Sequence, residues 1–587
     1  MTDATASVAA DSALPVSARF DDNDPPWPLR PWIMAAICAV AGLLFHMLVD
    51  RDYGSEPAPL RDALATFVAF FATVFVLGVE QRRWLWALGF ALLWGAIMGL
   101  IVWRSAGYNL HGTPIEWPFW SGVLAVLVAT PLFQTRRDVA PDRRFWKLWQ
   151  MPYDRLHSHA WTDAVIGAAS LAFVGITFLL VVLISEMFHL IGVDLIRDLI
   201  KDDWFGWMLA GAAFGGAVGL LRERDKLVAT LQRLVMIVLA VLAPVLAAAL
   251  SIFLLSLLGV GLHKLWASGF SAAALMMAAA AFAVLLANAA IGNGRDERAG
   301  NRLLHGAAGV LVVAVLPLAM IAFYAMHLRV VQYGWTPERI WGVIAAVIAL
   351  AYGAAGLWSV IRGRRDFDDI LRPLQQKLAI GLMLLAAFLA LPILDFGAIS
   401  TRDQVARLKS GATPVEKFDW AALAFDFGPT GRKALERLSV SPQKPLSDAA
   451  KAALQATDRY VLSGRAGRVP LKPIEERLRI LPKGRALPTE ALALIESSYM
   501  CQHAHVCVAV WIDDRRIAVL GQGMPGEPIQ SDRISLNDAG RWMNGDHSKH
   551  PQADKRSIDL SKAVVAIESV AQRRITVDGI AESDSFE

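Results

Sequence analysis

The segment with the greatest potential for chemistry is Cys501-Gln-His503-Ala-His505-Val-Cys507, in which cysteine and histidine occupy alternate positions. These side chains bind zinc, and a thiol beside an imidazole is also the pair that cysteine hydrolases use. In a straight strand, six steps of about 3.3 Å separate the end residues by roughly 20 Å, far beyond one coordination sphere. A zinc site therefore requires a looped backbone. A hydrolase requires a third group to orient the histidine, and the sequence identifies none.

The two cysteines of this segment are more simply explained as a covalent pair. The chain contains three cysteines, and Cys501 and Cys507 are the two that follow the last apolar segment. In an oxidising compartment a disulfide forms, provided that the segment turns enough to bring the α-carbons within about 7 Å of each other. We expect this disulfide. Two free buried thiols and a metal site are the alternatives.

Two further groups of polar side chains could do chemistry, and both have simpler explanations. His157 and His159 have a spacing seen in metal ligands, but no third ligand lies nearby, so we expect exposed side chains at a membrane interface. An acidic loop could supply an acid–base pair; its residues are Glu186, His189, Asp194, Asp198, Asp202 and Asp203. Acidic side chains in a solvated loop need no functional explanation. We therefore expect no catalytic residue, no metal and no cofactor.

Most of the chain that must position these residues is apolar. Of the 587 residues, 55% are hydrophobic and 19% are charged, whereas about a quarter of the residues of soluble domains are charged. A helix needs roughly 20 apolar residues to cross a bilayer. Eleven segments qualify: Trp32–Val49, Ala63–Val79, Trp84–Trp103, Trp117–Phe133, Ala164–Ile184, Trp204–Leu221, Leu234–Leu258, Phe270–Ile291, Leu303–Met326, Ile340–Ile361 and Leu378–Leu394. The sequence thus predicts a mainly α-helical, polytopic transmembrane bundle over residues 32–394.

The distribution of basic residues predicts the orientation of this bundle. With a cytoplasmic N-terminus, 22 Lys and Arg residues fall in inner segments and 8 in outer loops, which agrees with the positive-inside rule. Residues 1–31 are then a disordered cytoplasmic tail. An odd number of spans places residues 395–587 in the periplasm as a small α+β domain, with a β-hairpin formed by Val506–Ile512 and Ile517–Leu520. The predicted location is a bacterial inner membrane.

The predicted spans themselves offer little chemistry. None has an Asp, Glu, Lys or Arg near its middle, so the usual sign of a proton relay or a cation pathway is missing. Gly211, Gly215 and Gly219 recur every fourth residue and share one helix face, which lets a neighbouring backbone approach closely. The formal net charge of +4 is small for this length and indicates no nucleic-acid partner.

Two segments near the end of the predicted bundle resemble a known family. One is the loop Arg329–Arg339 directly before a span, and the other is Ile399–Leu408 directly after the last span, followed by Phe418-Asp419-Trp420. Together with the many spans, they resemble the bacterial membrane family called domain of unknown function 4153, over roughly residues 30–440. The resemblance implies an integral inner-membrane protein without an assigned activity, and it carries over no catalytic residues.

These two segments supply our candidate functional surface at the outer face. Its residues are Arg329, Gln332, Tyr333, Arg339, Gln404 and Arg407. We expect a non-enzymatic scaffold, sensor or assembly factor of the envelope, held in the lipid bilayer and binding an envelope protein partner. A transporter or lipid-handling channel is the alternative, and a membrane-embedded enzyme is the third interpretation. The arginines have a simpler explanation as anchors of helix ends at the lipid headgroups.

Overall fold

The computed structural model describes most of the chain. The described residues are 27–50, 58–109, 117–138, 151–262, 265, 271–295, 297–298, 301–391, 393–456, 459, 462, 474–498, 501, 504, 506–522, 529–537, 540–544, 560, 576–577 and 580–581. Most of the predicted tail 1–31 therefore lies outside the described residues. The chain divides into two compact units, residues 1–463 and residues 464–587.

The first unit is built from helices. They are α1 (Arg30–Val49), α2 (Pro59–Gly78), α3 (Trp84–Asn109), α4 (Trp117–Asp138), α5 (Tyr153–His189), α6 (Leu195–Lys201), α7 (Asp203–Arg222), α8 (Asp225–Val260), α9 (Ala272–Ile291), α10 (Arg302–Tyr333), α11 (Pro337–Gly363), α12 (Phe367–Ala390), α13 (Phe396–Lys409), α14 (Gly428–Ser439) and α15 (Lys444–Gln455). By length and composition, ten helical segments of the described chain could cross a membrane. The chain is a multi-pass membrane protein, and the predicted fold class is confirmed.

The difference between ten segments and eleven predicted spans arises at α11 and α12. Only the short turn Arg364–Asp366 separates these helices, so Pro337–Ala390 counts as one helical segment of 54 residues. Ile340 near the start of α11 nevertheless shares a buried cluster with Leu389 near the end of α12. The two helices are therefore antiparallel, and this segment runs through the bundle twice.

The backbones of α1 and α7 are in close contact along the glycine face of α7. A Cβ atom added at Gly219 would lie 2.6 Å from the Cα atom of Pro31. Cβ atoms added at Gly211 and Gly215 would overlap backbone carbonyl groups of α1. Since carbon atoms normally approach to about 3.5–4.0 Å, no larger residue fits without moving a helix. The predicted close approach at this glycine face is confirmed.

The helices that follow α12 belong to the first unit. α13, α14 and α15 pack around a buried cluster that includes Leu408, Phe427, Leu435 and Leu446. The predicted domain boundary at residue 395 follows the end of the apolar spans and assigns these helices to the last domain, whereas the two compact units meet at residues 463 and 464. The α+β part of the structure is therefore confined to the second unit.

The second unit contains a five-stranded sheet. Its helices are α16 (Ile474–Arg477) and α17 (Thr489–Ser497), and its strands are β1 (Leu478–Leu481), β2 (Val506–Trp511), β3 (Arg516–Gln522), β4 (Gln530–Leu536) and β5 (Trp542–Asn544), with β6 (Thr576–Val577) and β7 (Ile580–Ala581) as a separate pair. The strand order is β1-β2-β3-β4-β5, with β1 parallel to β2 and the other pairs antiparallel. The predicted hairpin is confirmed as β2 and β3.

Candidate functional site

The structure brings the two segments of the candidate surface into contact at the end of α10. The helix stops at Tyr333 because Gly334 follows with a φ of 76°, a conformation that glycine adopts without strain. A Cβ atom added at Gly334 would lie 2.6 Å from Nε2 of Gln404 and 2.7 Å from Nε of Arg407. The turn after α10 is therefore enclosed by side chains of α13, and only glycine fits there.

Arg407 neutralises the C-terminal end of α10. Its guanidinium group donates hydrogen bonds to the carbonyl oxygens of Val331 at 2.7 Å, Gln332 at 3.3 Å and Val330 at 3.4 Å. The last carbonyl groups of a helix have no partner within the helix and carry the negative end of its dipole. A cation at this position therefore stabilises α10 and fixes α13 against it.

Gln404 and Asp403 hold the residues that follow this helix end. Nε2 of Gln404 donates to the carbonyl oxygens of Tyr333 at 2.8 Å and Trp335 at 3.1 Å. The carboxylate of Asp403 accepts from the backbone N–H of Trp335 at 2.8 Å. We call Asp403, Gln404 and Arg407 the α13 clamp, because one face of a single helix binds six backbone groups of residues 330–335.

Arg339 closes the same turn from the start of α11. It donates to the carbonyl oxygens of Tyr333 at 3.0 Å and Gly334 at 2.7 Å. Its guanidinium carbon lies 5.4 Å from the centre of the Tyr333 ring, within the range of a cation–π contact. The donors of Arg339 are thus used within the chain, like those of the clamp.

Five of the six residues of the candidate surface therefore lie in one arrangement, and Arg329 is exposed one turn before it. Gln332 contributes its backbone carbonyl group, and the Tyr333 ring is 52% exposed. The hydrogen-bond donors that bind the backbone carbonyl groups here belong to Gln404, Arg407 and Arg339. Their arrangement is suited to holding helices together, and a ligand would have to be recognised by neighbouring groups.

Such groups line a cleft on the other side of α13. Its apolar wall comes from Val405, Leu408, Leu438 and Leu446, and its basic side chains are Arg402, Lys409, Lys433 and Arg437. No acidic residue lines it among the described residues. We call this the basic cleft. The sequence analysis did not identify it, because the cations come from two helices and become neighbours only when α14 packs beside α13.

The cysteine segment lies in the second unit. The structure joins the sulfur atoms of Cys501 and Cys507, whose α-carbons are 5.9 Å apart, and buries both residues beside Trp511. A guanidinium nitrogen of Arg477 donates to the carbonyl oxygen of Cys501 at 2.6 Å. His503 and His505 lie outside the described residues. The oxidation state of the pair in the cell stays a prediction, because it depends on the compartment.

A second polar cluster lies at the opposite end of the bundle, where α1 begins. α4 connects the two ends: Trp117 at its start stacks on Phe396 of α13 with ring centres 5.2 Å apart, and Arg137 lies near its end. We call these ends the α13 face and the α1 face. The direction of each helix places the starts of α1, α5, α10 and α12 at the α1 face.

Ion pairs tie the helix ends together at the α1 face. Arg137 is paired with Glu80 and donates to the carbonyl oxygen of Gly78 at 2.6 Å. Arg30 at the start of α1 pairs with Glu223 after α7, with an N–O distance of 3.2 Å. Each pair joins segments that are distant in sequence. The ends of α1, α2, α4 and α7 are thus fixed to one another.

Asp163 lies in the same cluster, and its side chain is largely covered. Its Oδ1 atom accepts from Nε2 of Gln134 at 3.0 Å and lies 3.8 Å from the guanidinium group of Arg222. Its buried Oδ2 atom has no hydrogen-bond partner within the described part of the chain. A cavity in the same cluster is lined by Arg30, Glu80, Arg137, Asp138, His159 and Arg222, among others. Such a cavity could hold a small ion or exchange a proton. Its position immediately before a predicted span was the only sequence signal for Asp163.

The remaining candidates from the sequence do not form a chemical site. His157 is buried and accepts from Nε1 of Trp161 at 3.1 Å, so the prediction of an exposed interface residue is wrong for it. His159 contacts Asp138 at 2.8 Å. In the acidic loop, His189 and Asp194 form an exposed contact. No group of three potential metal ligands occurs in the described ranges.

Comparison with protein families identifies one match. The model of the family described as "Domain of unknown function (DUF4153)" matches residues 64–438, and this confirms the resemblance found in the sequence. The match begins in α2 and ends within α14, so it includes the α13 clamp and most of the basic cleft. It does not extend to the second unit. No curated protein and no solved structure matches the chain.

Proposed function

Because the chain belongs to the DUF4153 family, whose description assigns no activity, we propose from its own geometry that it is an inner-membrane scaffold, sensor or assembly factor that docks an envelope protein in the basic cleft. The observation that carries the proposal is the pairing of an apolar wall with Arg402, Lys409, Lys433 and Arg437 and with no acidic lining residue among those described. The occupant that fits is an acidic, amphipathic segment of a partner protein.

The cleft is suited to binding a peptide rather than to catalysis. Leu438 is buried in its wall, and Val440 at its edge is 81% exposed, so a partner could cover apolar surface there. Burial of apolar surface provides affinity, and opposite charges set the orientation and the rate of association. The α13 clamp supports this role because it fixes one wall of the cleft to the membrane helices through α10.

The proposed orientation places the basic cleft and the second unit in the periplasm. Its support is the distribution of basic residues, because the segments that hold 22 Lys and Arg residues lie at the α1 face and those that hold 8 lie at the α13 face. A reporter that is active only in the periplasm tests this orientation. It should be active when fused after Leu408 and inactive when fused after Arg144. Activity after Arg144, or inactivity after Leu408, would refute the orientation.

A photo-crosslinking experiment tests the docking role. A photoreactive amino acid at Val440 of the full chain should give one dominant protein adduct in the native membrane. We expect the double variant Lys433→Glu/Arg437→Glu to lose at least 90% of this adduct, because like charges then face an acidic segment. The matched control Lys417→Glu/Lys451→Glu makes the same change in net charge at exposed positions that do not line the cleft.

The control variant must retain the adduct, and all variants must accumulate to the wild-type level. Equal loss in both double variants would assign the effect to overall charge and refute docking in the cleft. An adduct whose yield is the same in the wild type and in both double variants would also refute it. A cleft occupied by lipid alone would yield lipid adducts without a protein band, and this outcome excludes the proposed partner class.

A transporter or lipid-handling channel remains the second candidate, and the buried carboxylate of Asp163 at the α1 face is the observation that favours it. The buried Oδ2 atom of Asp163 has no hydrogen-bond partner in the described ranges, as in a group that exchanges a proton or an ion. If Asp163→Asn abolishes activity at normal protein levels while the cleft variant is fully active, the transporter function should replace the docking function.

A further inference from the structure

The α1 face carries a second basic groove, between the start of α10 and the end of α11. Its lining includes Arg302, Arg364 and Arg365 at one end and Gly306, Val310 and Val313 at the other. The groove belongs to neither the basic cleft nor the cavity beside Arg137 and Asp138, and the proposed function does not use it. Both walls belong to the first unit.

The three arginines at the mouth of this groove have no carboxylate partner among the described residues. Within the described part of the chain, no carboxylate lies within 4.0 Å of their guanidinium groups. A guanidinium group is weakly hydrated and well suited to binding an anion. The neighbouring Arg298 differs, because it contacts Asp366 at 3.4 Å and Asp368 at 3.6 Å. Asp366, the acidic residue that lines the groove, is thus paired with Arg298, and the net charge at the mouth of the groove is positive.

The apolar part of the groove extends along the membrane-spanning helix. Gly306 and Val313 are seven residues apart, so this wall reaches about 10 Å into the predicted span at 1.5 Å per residue. A Cβ atom added at Gly306 would have no neighbour within 4 Å, and one added at Gly309 would just touch the ring of Phe367 at 3.5 Å. The small residues therefore leave an open channel from the arginines into the apolar layer.

The backbone of Arg364, at the mouth of the groove, has a strained conformation. Its φ of 50° makes it the one described residue other than glycine with a positive φ. A side chain in such a conformation costs about 1–3 kcal/mol. The turn between α11 and α12 would accept glycine readily, yet an arginine occupies it and contributes to the mouth of the groove. Strained residues cluster at ligand-binding and switch sites, which agrees with a binding role for Arg364.

We propose that this groove binds one anionic phospholipid, with the headgroup phosphate at Arg302, Arg364 and Arg365 and an acyl chain along Gly306, Val310 and Val313. Guanidinium groups recognise phosphate through paired N–H donors. Basic pockets between membrane helices near the cytoplasmic surface are suited to anionic headgroups. A soluble phosphate would use the arginines alone and leave the apolar wall uncovered, whereas a phospholipid covers both.

Native mass spectrometry of the purified full chain in detergent tests this site. Phosphatidylglycerol and phosphatidylcholine with identical acyl chains are added at equal concentration. The wild type should retain phosphatidylglycerol at least tenfold more than phosphatidylcholine, with one molecule bound most strongly. Arg302→Gln/Arg365→Gln should reduce this preference about tenfold. The matched control Arg233→Gln/Arg362→Gln removes two exposed charges from the same face without altering the groove, and it should retain the preference.

Gly306→Leu separates the lipid from a free anion. The new side chain projects into open space, so the protein should remain folded while the acyl channel is filled and bound phosphatidylglycerol falls about tenfold. Equal retention of the two lipids by the wild type would refute the proposal. A preference that Gly306→Leu leaves intact, and that inorganic phosphate abolishes, would show an anion site without lipid recognition and would also overturn it.

Discussion

The packing of α1 against α7 gives a prediction whose size follows directly from the geometry. In Gly219→Ala, the new methyl group would lie 2.6 Å from the Cα atom of Pro31. A normal carbon–carbon contact is about 3.5 Å or more, so the two helices must separate locally by roughly 1 Å. Overpacking of this kind costs about 1–3 kcal/mol. Alanine regains up to about 1 kcal/mol through its higher helix propensity, and we therefore expect a net loss of about 1–2 kcal/mol.

Gly216→Ala is a control in the same helix. Its methyl group would meet the Cβ atom of Ala35 at 3.5 Å, which is an ordinary contact. This variant gains the helix propensity of alanine without a clash, so its stability should equal or exceed that of the wild type. The pair of variants thus compares two identical substitutions three residues apart, with opposite expected signs.

Thermal unfolding in a mild detergent, followed by tryptophan fluorescence, measures the difference. We expect a lower midpoint for Gly219→Ala than for the wild type and an unchanged or higher midpoint for Gly216→Ala. The double variant of Gly219→Ala with Gly215→Ala should lose more than either single variant, since both methyl groups press on α1. If Gly219→Ala and Gly216→Ala unfold at the same temperature, the close contact between α1 and α7 is incorrect.

Three further predictions concern residues outside the membrane spans. Arg407→Ala should lower stability by about 2 kcal/mol through the loss of its bonds to the end of α10, whereas Lys409→Ala, two residues away, should leave the unfolding midpoint unchanged. Burial raises the pKa of Asp426 to about 6 despite the opposing charge of Arg459, so the folded state binds the proton more tightly than the unfolded state and loses stability as the pH rises from about 4 to about 6. Asp426→Asn should therefore be more stable than the wild type at pH 8 but not at pH 4. An equal effect at both pH values would contradict this prediction. If Cys501 and Cys507 are bridged in the cell, thiol labelling of the denatured protein should rise by two sites on reduction, and equal labelling with and without reductant would exclude the bridge.

The elements that could be predicted from the sequence are those with a local signal. The apolar helices follow from composition over about 20 residues, and the β2–β3 hairpin follows from two short apolar runs around a polar turn. The glycine face of α7 was visible because its spacing matches the helical period. The antiparallel pair α11 and α12 also appeared as two apolar spans, although its turn is too short to interrupt the helical segment.

The arrangements that could not be predicted depend on residues distant in sequence. Gln404 and Tyr333 are 71 positions apart, and neither residue type indicates that an amide will bind that particular carbonyl group. Arg30 and Glu223 are 193 positions apart, and Arg30 belongs to the segment 1–31 that the sequence predicts to be disordered. Charged residues at helix ends usually face water, so their burial at the α1 face could be recognised only after the helices were placed.

The contact between α1 and α7 also constrains the order of events during synthesis. α1 ends at Val49 and the glycine face of α7 ends at Gly219, so the ribosome must add about 170 residues before the glycine face that covers α1 exists. At 5–20 residues per second this interval lasts roughly 10–30 s. During that time the backbone of α1 at Met34 and Cys38, which the glycine face covers in the finished protein, lacks this neighbour. The first helix therefore enters the membrane before α7 exists, and the contact between their backbones forms only after five further membrane helices have been made.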